Sequence, residues 1–319
     1  MNSWDELVER CARRRREKIG PLSEDAYAEL VLAVREDPAS FVDDPTEAAL
    51  LVLAQALDAY RASCRNDDLL DDAAFEAERR RRMSALRAES ERAAQMAERS
   101  LDARLLVLLA QDLDPDPLLG GLIELEREFG PGARPEGDAW EDVFYRPRLR
   151  LRAAVARACL DGARFKMAAS AAASLVDVAP RDQLGARRTF ALALARLEDE
   201  KGFDALDARF DRRGDAWSHL ARVILLFKLD RMSAARRALR GYEELCEGGA
   251  YALLRPTYVE PYLPDRPETV PGSFEESMLA VREAEPIIAD VPDFIGWCQG
   301  FDWLVASAER FARGRDLDW

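Results

Sequence analysis

Apolar residues recur along the chain at every third or fourth position, which is the spacing of one face of an α-helix. The pattern is clearest after Asp44, where Pro45 and Glu47 occupy the first and third positions of the expected helix. This order is a capping-box arrangement, a signature of a helix N-terminus. The leucines that follow form a broad apolar stripe, so the segment predicts an amphipathic helix. Residues 4–19 and the segment that opens at Ser23 predict two earlier helices of the same kind.

A long charged stretch follows. Residues 71–113 contain neither Gly nor Pro, yet a single helix of about 40 residues would be unusually long. We therefore expect a break, or an exposed bridging helix. Between residues 77 and 99 the only large apolar side chains are Met83, Leu86 and Met96. This part of the helix either spans solvent or packs against a partner.

From Arg148 onward, predicted helices alternate with short turns, and no strand pattern intervenes. Residues 149–182 have the layout of a tetratricopeptide unit of about 34 residues, with Phe165 after the turn, Ala168 at the helix crossing and Pro180 at the end. Small residues along the second helix allow two helices to pack at short distance. Residues 183–209 and 215–245 repeat the layout in degenerate form. The expected fold is all-α, a degenerate TPR-like helical-repeat solenoid with an N-terminal helical region and C-terminal capping helices.

The predicted domain organisation has two parts. Residues 1–100 form an N-terminal helical region that ends in the charged helix, and residues 101–319 form the TPR-like repeat domain. Prolines in residues 255–272 disfavour helix and favour extended backbone. This segment is either an intramolecular strap or a ligand for another domain. Ser273 and Glu276 then restart helix in a second capping box, and the aromatic residues near the C-terminus are typical of a cap on the last repeat.

Part of the chain resembles a known family. The residues that carry the likeness are Trp140, Arg146-Pro147, Ala168, Pro180-Arg181-Asp182 and Gly185. With them, residues 101–263 resemble bacterial tetratricopeptide proteins related to the suppressor-of-tumorigenicity-seven family. An Asn-rich turn of that family is replaced here by residues 181–183, and the proline-rich segment is only loosely similar. The resemblance implies a helical-repeat fold and a binding role, with no known chemistry or ligand.

Composition narrows the classes of partner. The chain has 319 residues, 48% of them apolar, and its 60 acidic residues outnumber its 46 basic ones to give a net charge of −14. This balance disfavours nucleic acid and anionic membrane as partners. No run of apolar residues reaches the length of a membrane-spanning helix, and the first 20 residues lack the apolar stretch of a secretory signal. We expect a cytoplasmic protein whose five cysteines are reduced core thiols.

The sequence contains no recognisable catalytic or metal-binding motif. Its single histidine, His219, lies on a predicted helix where a half-buried structural role is expected, and no Cys or second His lies at metal-ligand spacing. Glycine-rich phosphate loops and nucleophile motifs are missing. The run DDLLDD at residues 67–72 has oxygen ligands for a hard cation, but it also makes sense as an acidic helix start. We therefore predict no enzyme activity, no cofactor and no metal.

Among the polar residues, a set of arginines is the strongest candidate for a binding site. The candidate binding residues are Arg146, Arg148, Arg152, Arg187 and Arg188. The first helices of tetratricopeptide pairs line a concave groove, where guanidinium groups can hold carboxylates bidentately. This predicts a non-enzymatic scaffold that binds an acidic peptide or protein. Two alternatives stay open: the arginines pair with the chain's own acids in solvent, or the protein is a self-assembling structural or regulatory subunit that uses the charged helix 77–99.

Overall fold

The computed structural model describes residues 3–65, 67–255 and 262–319, and these residues form helices and no strand. The chain divides into two compact units, residues 1–151 and residues 152–319. The helices that lie wholly in the first unit are α1 (Ser3–Ile19), α2 (Glu24–Glu36), α3 (Pro45–Ser63), α4 (Asp72–Met96), α5 (Leu101–Leu109) and α6 (Pro115–Phe129), with 3₁₀ turns at Pro38–Phe41, Asp67–Leu69 and Ala139–Glu141. The boundary between the units lies within α7 (Arg146–Asp161). The second unit continues with α8 (Phe165–Val178), α9 (Ala186–Arg196), α10 (Glu200–Arg209), α11 (Ala216–Lys228), α12 (Met232–Leu245), α13 (Gly249–Leu254), α14 (Phe274–Ala289), α15 (Asp293–Gln299) and α16 (Asp302–Arg315).

One apolar cluster of the N-terminal core forms where α1, α2 and α3 meet. Its buried apolar residues are Leu7, Val8, Cys11, Ala12, Val34 and Leu50. They come from three separate helices, each of which contributes one apolar stripe. The amphipathic patterns of the sequence therefore correspond to real contacts, and the start of α3 is capped as expected, with Thr46 N donating to Asp44 Oδ1 at 2.8 Å.

The charged helix is shorter than the uninterrupted sequence pattern, and it has a partner within its own unit. The predicted break is confirmed, because α4 ends at Met96 and α5 begins at Leu101 with Ser100 as its cap. Met83 and Leu86 are buried, and α4 packs along α3. The expectation that this helix spans solvent or waits for a partner is therefore wrong for Met83 and Leu86, which are covered within the unit, whereas Met96 at the end of the helix is 44% exposed.

The packing of α5 explains why the boundary between the two units lies after residue 100. The sequence placed a boundary between residues 100 and 101, whereas the compact units divide between Leu151 and Arg152. The helix α5 contacts both α3 and α4, and its Leu105 and Leu106 are fully buried. Residues after 100 therefore complete the N-terminal core.

In the C-terminal unit, small side chains let helices approach one another closely. Ala156 on α7 packs with Ala171 and Ala172 on α8, and Phe190 on α9 covers this cluster. The helix α9 also contacts α8, α10 and α11, and α11 contacts α12. Successive helices of this unit thus pack as neighbours in an all-α arrangement.

The described part of the expected strap, residues 262–272, is fastened to the helices of its unit. Arg266 donates from Nη1 to the carbonyl oxygens of Leu184 and Gly185 at 2.7 and 2.6 Å, and from Nε to Glu283 Oε1 at 2.7 Å. A Cβ atom at position 185 would displace the Arg266 guanidinium from these bonds, and the positive φ of 64° also favours glycine there. Residues 256–261, which belong to the predicted proline-rich segment, lie outside the described residues.

Aromatic side chains connect the last helices to the rest of the C-terminal unit. The Phe227 ring on α11 lies 5.4 Å from Phe294 and 5.1 Å from Trp297, both on α15. Phe274 on α14 lies 4.8 Å from Phe311 on α16. Such ring pairs stabilise beyond the area that they bury. The aromatic residues near the C-terminus therefore pack together at the end of this unit, and their role as a cap on a last repeat stays a prediction.

Candidate functional site

Of the predicted binding arginines in the N-terminal unit, Arg146 has a structural role. It is 3% exposed, its Nε donates to Trp140 O at 2.8 Å, and its Nη1 lies 2.9 Å from Glu9 Oε2. The guanidinium also lies over the Trp140 ring, at 5.1 Å from the centroid. Its donors are thus engaged within the unit, and the expectation that Arg146 offers them to a partner is wrong.

Beside Arg146 lies a buried network of two arginines and two carboxylates. Arg10 Nη2 donates to Glu6 Oε1 at 2.5 Å and to Asp102 Oδ2 at 2.8 Å. Arg150 approaches the same acids, with Nη1 at 3.1 Å from Glu6 Oε1 and 3.4 Å from Asp102 Oδ1. Burial by itself raises the pKa of Glu6, but Arg150 and Arg10 outweigh it and lower the pKa to about 2. The network is internally neutral and joins α1, α5 and α7.

Next to this network the N-terminal unit contains a cavity of about 410 Å³, which we call the Glu47 cavity. Its four arginines are Arg10, Arg14, Arg99 and Arg148, and its four carboxylates are Glu47, Glu98, Asp102 and Glu128. Thr46, Leu101, Phe129, Phe144 and Pro147 complete the lining. The volume falls within the range of small-molecule pockets. Arg148 is the one predicted binding residue that reaches this cavity.

Several buried polar atoms of the Glu47 cavity have no hydrogen-bond partner. They are Arg10 Nε, Arg14 Nε, Arg148 Nε and both side-chain oxygens of Glu47. Buried polar groups are nearly always paired, because an unpaired one keeps the full cost of losing water. Because five such atoms line one cavity, the cavity is a candidate ligand site of this unit.

Glu47 is the most unusual of these groups. It is 1% exposed, and Arg14 Nε lies 3.7 Å from its Oε1, which is longer than a hydrogen bond. Burial, together with the neighbouring Asp44, raises the pKa of Glu47 although Arg14 and Arg10 act in the opposite direction. The capping box expected from the sequence does not form, because Asp44 caps α3 through Thr46 N, at the second helical position, and Glu47 accepts no bond in return. Sequence reasoning missed this residue because the capping pattern already gave it a role.

The remaining predicted arginines belong to the C-terminal unit. Arg187 Nη2 and Arg188 Nε share Asp215 Oδ2, at 3.2 and 3.0 Å. Arg188 also lies over the Trp217 ring, 3.9 Å from its centroid. Burial raises the pKa of Asp215, but Arg188 and Arg187 bring it below its usual value. Arg152, on the C-terminal unit's part of α7, is half-buried and has contacts of its own.

Arg187 and Arg188 line a pocket between α9, α10 and α11, which we call the Arg187 pocket. The other side chains that matter for its chemistry are Phe203, Asp207, Phe210, Arg213 and Asp215. The Arg187 guanidinium lies over the Phe210 ring at 5.1 Å from the centroid. Arg213 is 82% exposed, and its nearest carboxylate, Asp211, is 3.9 Å away. The structure thus brings two predicted arginines together and adds an exposed third that the sequence did not single out.

The other candidates from the sequence lie in unremarkable settings. Burial lowers the pKa of the half-buried His219 in spite of Asp215 and Asp207 nearby. All five cysteines are free, as predicted, and burial raises the pKa of Cys11, Cys246 and Cys298 to about 12, which keeps these thiols protonated. Over the described residues, no group of three or more His, Cys, Asp or Glu could hold a metal ion. In the same parts of the chain, no helix is long and apolar enough to cross a bilayer.

Comparisons with known proteins find no match for this chain. No family model matches the chain, and neither a curated protein nor a solved structure is similar to it. The resemblance to the suppressor-of-tumorigenicity-seven family therefore stays a prediction.

The turn before α9 allows a first test of the electrostatics. Asp182 has a side chain that is 5% exposed, and burial raises its pKa to about 6 although Arg187 N donates to it at 3.2 Å. An acid with a raised folded pKa costs stability once it ionises. The cost is absent below the unfolded pKa of about 3.9, grows as pH rises and is complete above about pH 6.

We expect Asp182→Asn to stabilise the C-terminal unit by about 1–3 kcal/mol at pH 7.5 and to have little effect near pH 4. Asn accepts the same backbone bond and tolerates the positive φ of 56° at this position. Urea unfolding between pH 4 and 8 measures the difference. The control is Asp211→Asn, which has the same φ of 56° but a side chain that is 79% exposed. If the stability of the two variants depends on pH in the same way, the raised pKa of Asp182 is contradicted.

Proposed function

We propose that this protein is a non-enzymatic helical-repeat binding module that holds an acidic peptide at the Arg187 pocket of its C-terminal unit. The observation that carries the proposal is the meeting of Arg187, Arg213 and Phe210 at one concave place between three helices. Arginine and aromatic side chains are the residue types that dominate binding energy at protein interfaces. The neighbouring packing of α8, α9, α10 and α11 is compatible with a solenoid of helix pairs, whose first helices line a groove.

The charges of the pocket favour an anionic ligand. Its lining holds three arginines against two aspartates, so one positive charge is left in a chain whose net charge is −14. Arg187 and Arg188 share Asp215, and each has a second acid at 3.6 Å, Asp182 for Arg187 and Glu276 for Arg188. Their charges are thus neutralised within the unit, which leaves Arg213 at the rim as the group best placed to meet an incoming carboxylate. The half-buried ring of Phe210 suits an apolar side chain beside that carboxylate. The expected motif is an acidic residue or a free C-terminus next to an aliphatic or aromatic residue.

Selection of a random peptide library on the protein, with free C-termini displayed, tests this motif. We expect the enriched peptides to carry a carboxylate next to an apolar side chain and to bind more weakly as salt rises. Arg213→Glu should weaken binding at least tenfold, about 1.4 kcal/mol, because it replaces attraction by repulsion. The matched control is Arg237→Glu, an exposed arginine on α12 that does not line the pocket.

Two results would count against the proposal. One is a selection that enriches no acidic motif. The other is equal loss of binding in the Arg213 and Arg237 variants, which would indicate a general charge effect and no specific pocket. Because Arg213 is 82% exposed, its replacement leaves the fold intact and the comparison stays interpretable.

The alternative, self-assembly through the charged helix 77–99, has weaker support. The buried face of α4 packs on α3, and its outer face is occupied by exposed ion pairs such as Arg87–Glu91 at 2.8 Å and Arg81–Glu78 at 2.5 Å. Sedimentation velocity separates the two proposals, since a monomer over the whole accessible concentration range removes the alternative.

A further inference from the structure

The Glu47 cavity has features that the proposed peptide-binding function does not use, and it lies in the other unit of the chain. From its unpaired groups we infer that it is a binding site for a small zwitterion, an α-amino acid whose ammonium group meets Glu47 and whose carboxylate meets Arg148 and Arg14. Three observations carry the inference: the unpaired atoms, the balance of charge, and the apolar wall.

The unpaired atoms are of two kinds. Glu47 offers two side-chain oxygens that accept hydrogen bonds, whereas Arg10, Arg14 and Arg148 each offer an N–H that donates. A simple anion would satisfy the donors and repel Glu47. A simple cation would satisfy Glu47 and repel the arginines. A ligand that carries both an N–H donor and carboxylate acceptors satisfies the whole set.

The charges of the lining lead to the same class of ligand. Asp102 is already bonded to Arg10 and Arg150, and Glu128 is bonded to Arg104 at 2.9 Å. The charged groups of the lining outside these pairs are two carboxylates, Glu47 and Glu98, and three arginines, Arg14, Arg99 and Arg148. Both signs therefore face the cavity. A divalent cation does not fit, because the arginines that line the cavity would repel it.

The apolar part of the lining gives the ligand's side chain a surface. Leu101, Phe129, Phe144 and Pro147 lie in the same cavity, and the Arg14 guanidinium is held over the Phe144 ring at 4.4 Å from its centroid. A volume of about 410 Å³ is more than a few waters need and accommodates an amino acid with a sizeable side chain. We therefore expect an aliphatic or aromatic amino acid to bind most tightly.

The full-length protein and the twenty common L-amino acids at millimolar concentration provide the test. Thermal shift ranks the panel, and calorimetry measures the affinity of the best member. We then expect the methyl ester of that amino acid, which lacks the carboxylate, and its N-acetyl form, which lacks the ammonium, each to bind at least tenfold more weakly.

Two variants assign the ends of the ligand. Glu47→Gln should weaken binding of the free amino acid at least tenfold and leave binding of the N-acetyl form unchanged. Arg148→Met should weaken the free amino acid to a similar degree and leave the methyl ester unchanged. Glu29→Gln, an exposed position on α2, is the matched control and should bind as the wild type does.

Stability measurements keep the test decisive. Without ligand, Glu47→Gln should unfold at a higher temperature than the wild type, because it removes a buried carboxylate that accepts no hydrogen bond. In the same variant, the amino acid should no longer raise the unfolding temperature. The inference is overturned if no amino acid binds at millimolar concentration, which would leave a cavity filled by water. It is also overturned if Glu47→Gln binds as tightly as the wild type. Neither result affects the Arg187 pocket, so the two proposals fail or stand separately.

Discussion

Replacing Arg150 by Ala is expected to destabilise the N-terminal unit by about 3–5 kcal/mol, the cost of breaking a buried ion pair from one side. The substitution leaves Glu6, which is 1% exposed, with Arg10 as its remaining partner in the network, and Asp102 loses its second cation. It also removes the guanidinium that lies 5.7 Å from the centroid of the Trp140 ring. Both carboxylates stay in place, so their cost of burial is no longer offset.

The acid limb of the stability curve should change as well. Because the pKa of Glu6 is lowered to about 2 in the folded protein, its ionised form stabilises the unit above about pH 4.5, and this contribution is lost as pH falls toward 2. Without Arg150 the folded pKa rises, so acid unfolding should begin at a higher pH. Hydrogen exchange of peptides from α1 in increasing urea measures the effect for this unit alone.

The control is Arg87→Ala, which removes an exposed pair with Glu91 on α4. It should cost less than about 0.5 kcal/mol, as solvent-exposed pairs usually do. If Arg150→Ala costs under about 1 kcal/mol, or no more than the control, the network contributes little to stability and the assignment is wrong.

The local features of the fold could be predicted in part from the sequence. The caps at Asp44 and Ser273 follow from residue types within one turn of each cap, whereas the break in the charged stretch was expected from its length alone and its position after Met96 was not. The close approach of α7 and α8 follows from the small residues along α8. Each of these depends on hydrogen bonds or packing that a short stretch of chain determines.

The partners of the charged residues could not be predicted in this way. Arg150 meets Glu6 across 144 positions of sequence, and Arg10 meets Asp102 across 92. Alternate arginines before and along a helix look the same whether they face solvent or a buried acid. The sequence therefore placed Arg146 at a binding site, whereas the fold buries it against Glu9 and Trp140.

The Glu47 cavity was missed for a related reason. A capping box predicts that the Glu at the third helical position is satisfied by its own helix, and only the positions of Arg14 and Arg148 reveal a cavity there instead. Arg213 was missed because nothing in the sequence around it indicates that Phe210 and the arginines of α9 line the same pocket.

A second large loss of stability is expected when Arg266, which fastens the strap, is replaced. Arg266 has a side chain that is 5% exposed, and it donates to two backbone carbonyls of the turn before α9, to Thr189 Oγ1 at 3.2 Å and to both oxygens of Glu283. Glu283 also accepts from Trp217 Nε1 at 2.8 Å and from the Tyr262 hydroxyl. Burial raises the pKa of Glu283, but Arg266 outweighs it and keeps the carboxyl ionised. One guanidinium thus holds the strap to α9 and α14.

We expect Arg266→Ala to destabilise the C-terminal unit by about 3–5 kcal/mol, because it leaves Glu283 buried without its main counter-charge and leaves the turn carbonyls without their donor. Arg266→Lys should recover only part of this loss, since one ammonium cannot reach the acid and both carbonyls in the fixed geometry of a guanidinium. Urea unfolding followed by hydrogen exchange of residues 262–272 measures both variants.

Arg282→Ala provides the comparison, because it removes an exposed pair with Glu285 on the same helix as Glu283 and should cost less than about 0.5 kcal/mol. In Arg266→Ala, exchange in residues 262–272 should become fast at urea concentrations where α11 is still protected, since the strap loses its attachment before the helices separate. If strap and helices instead lose protection together in all three variants, Arg266 is part of a single cooperative core, and the strap has no separate attachment. Because Glu283 contributes stability only while ionised, the difference between wild type and Arg266→Ala should shrink as pH falls below about 4.5.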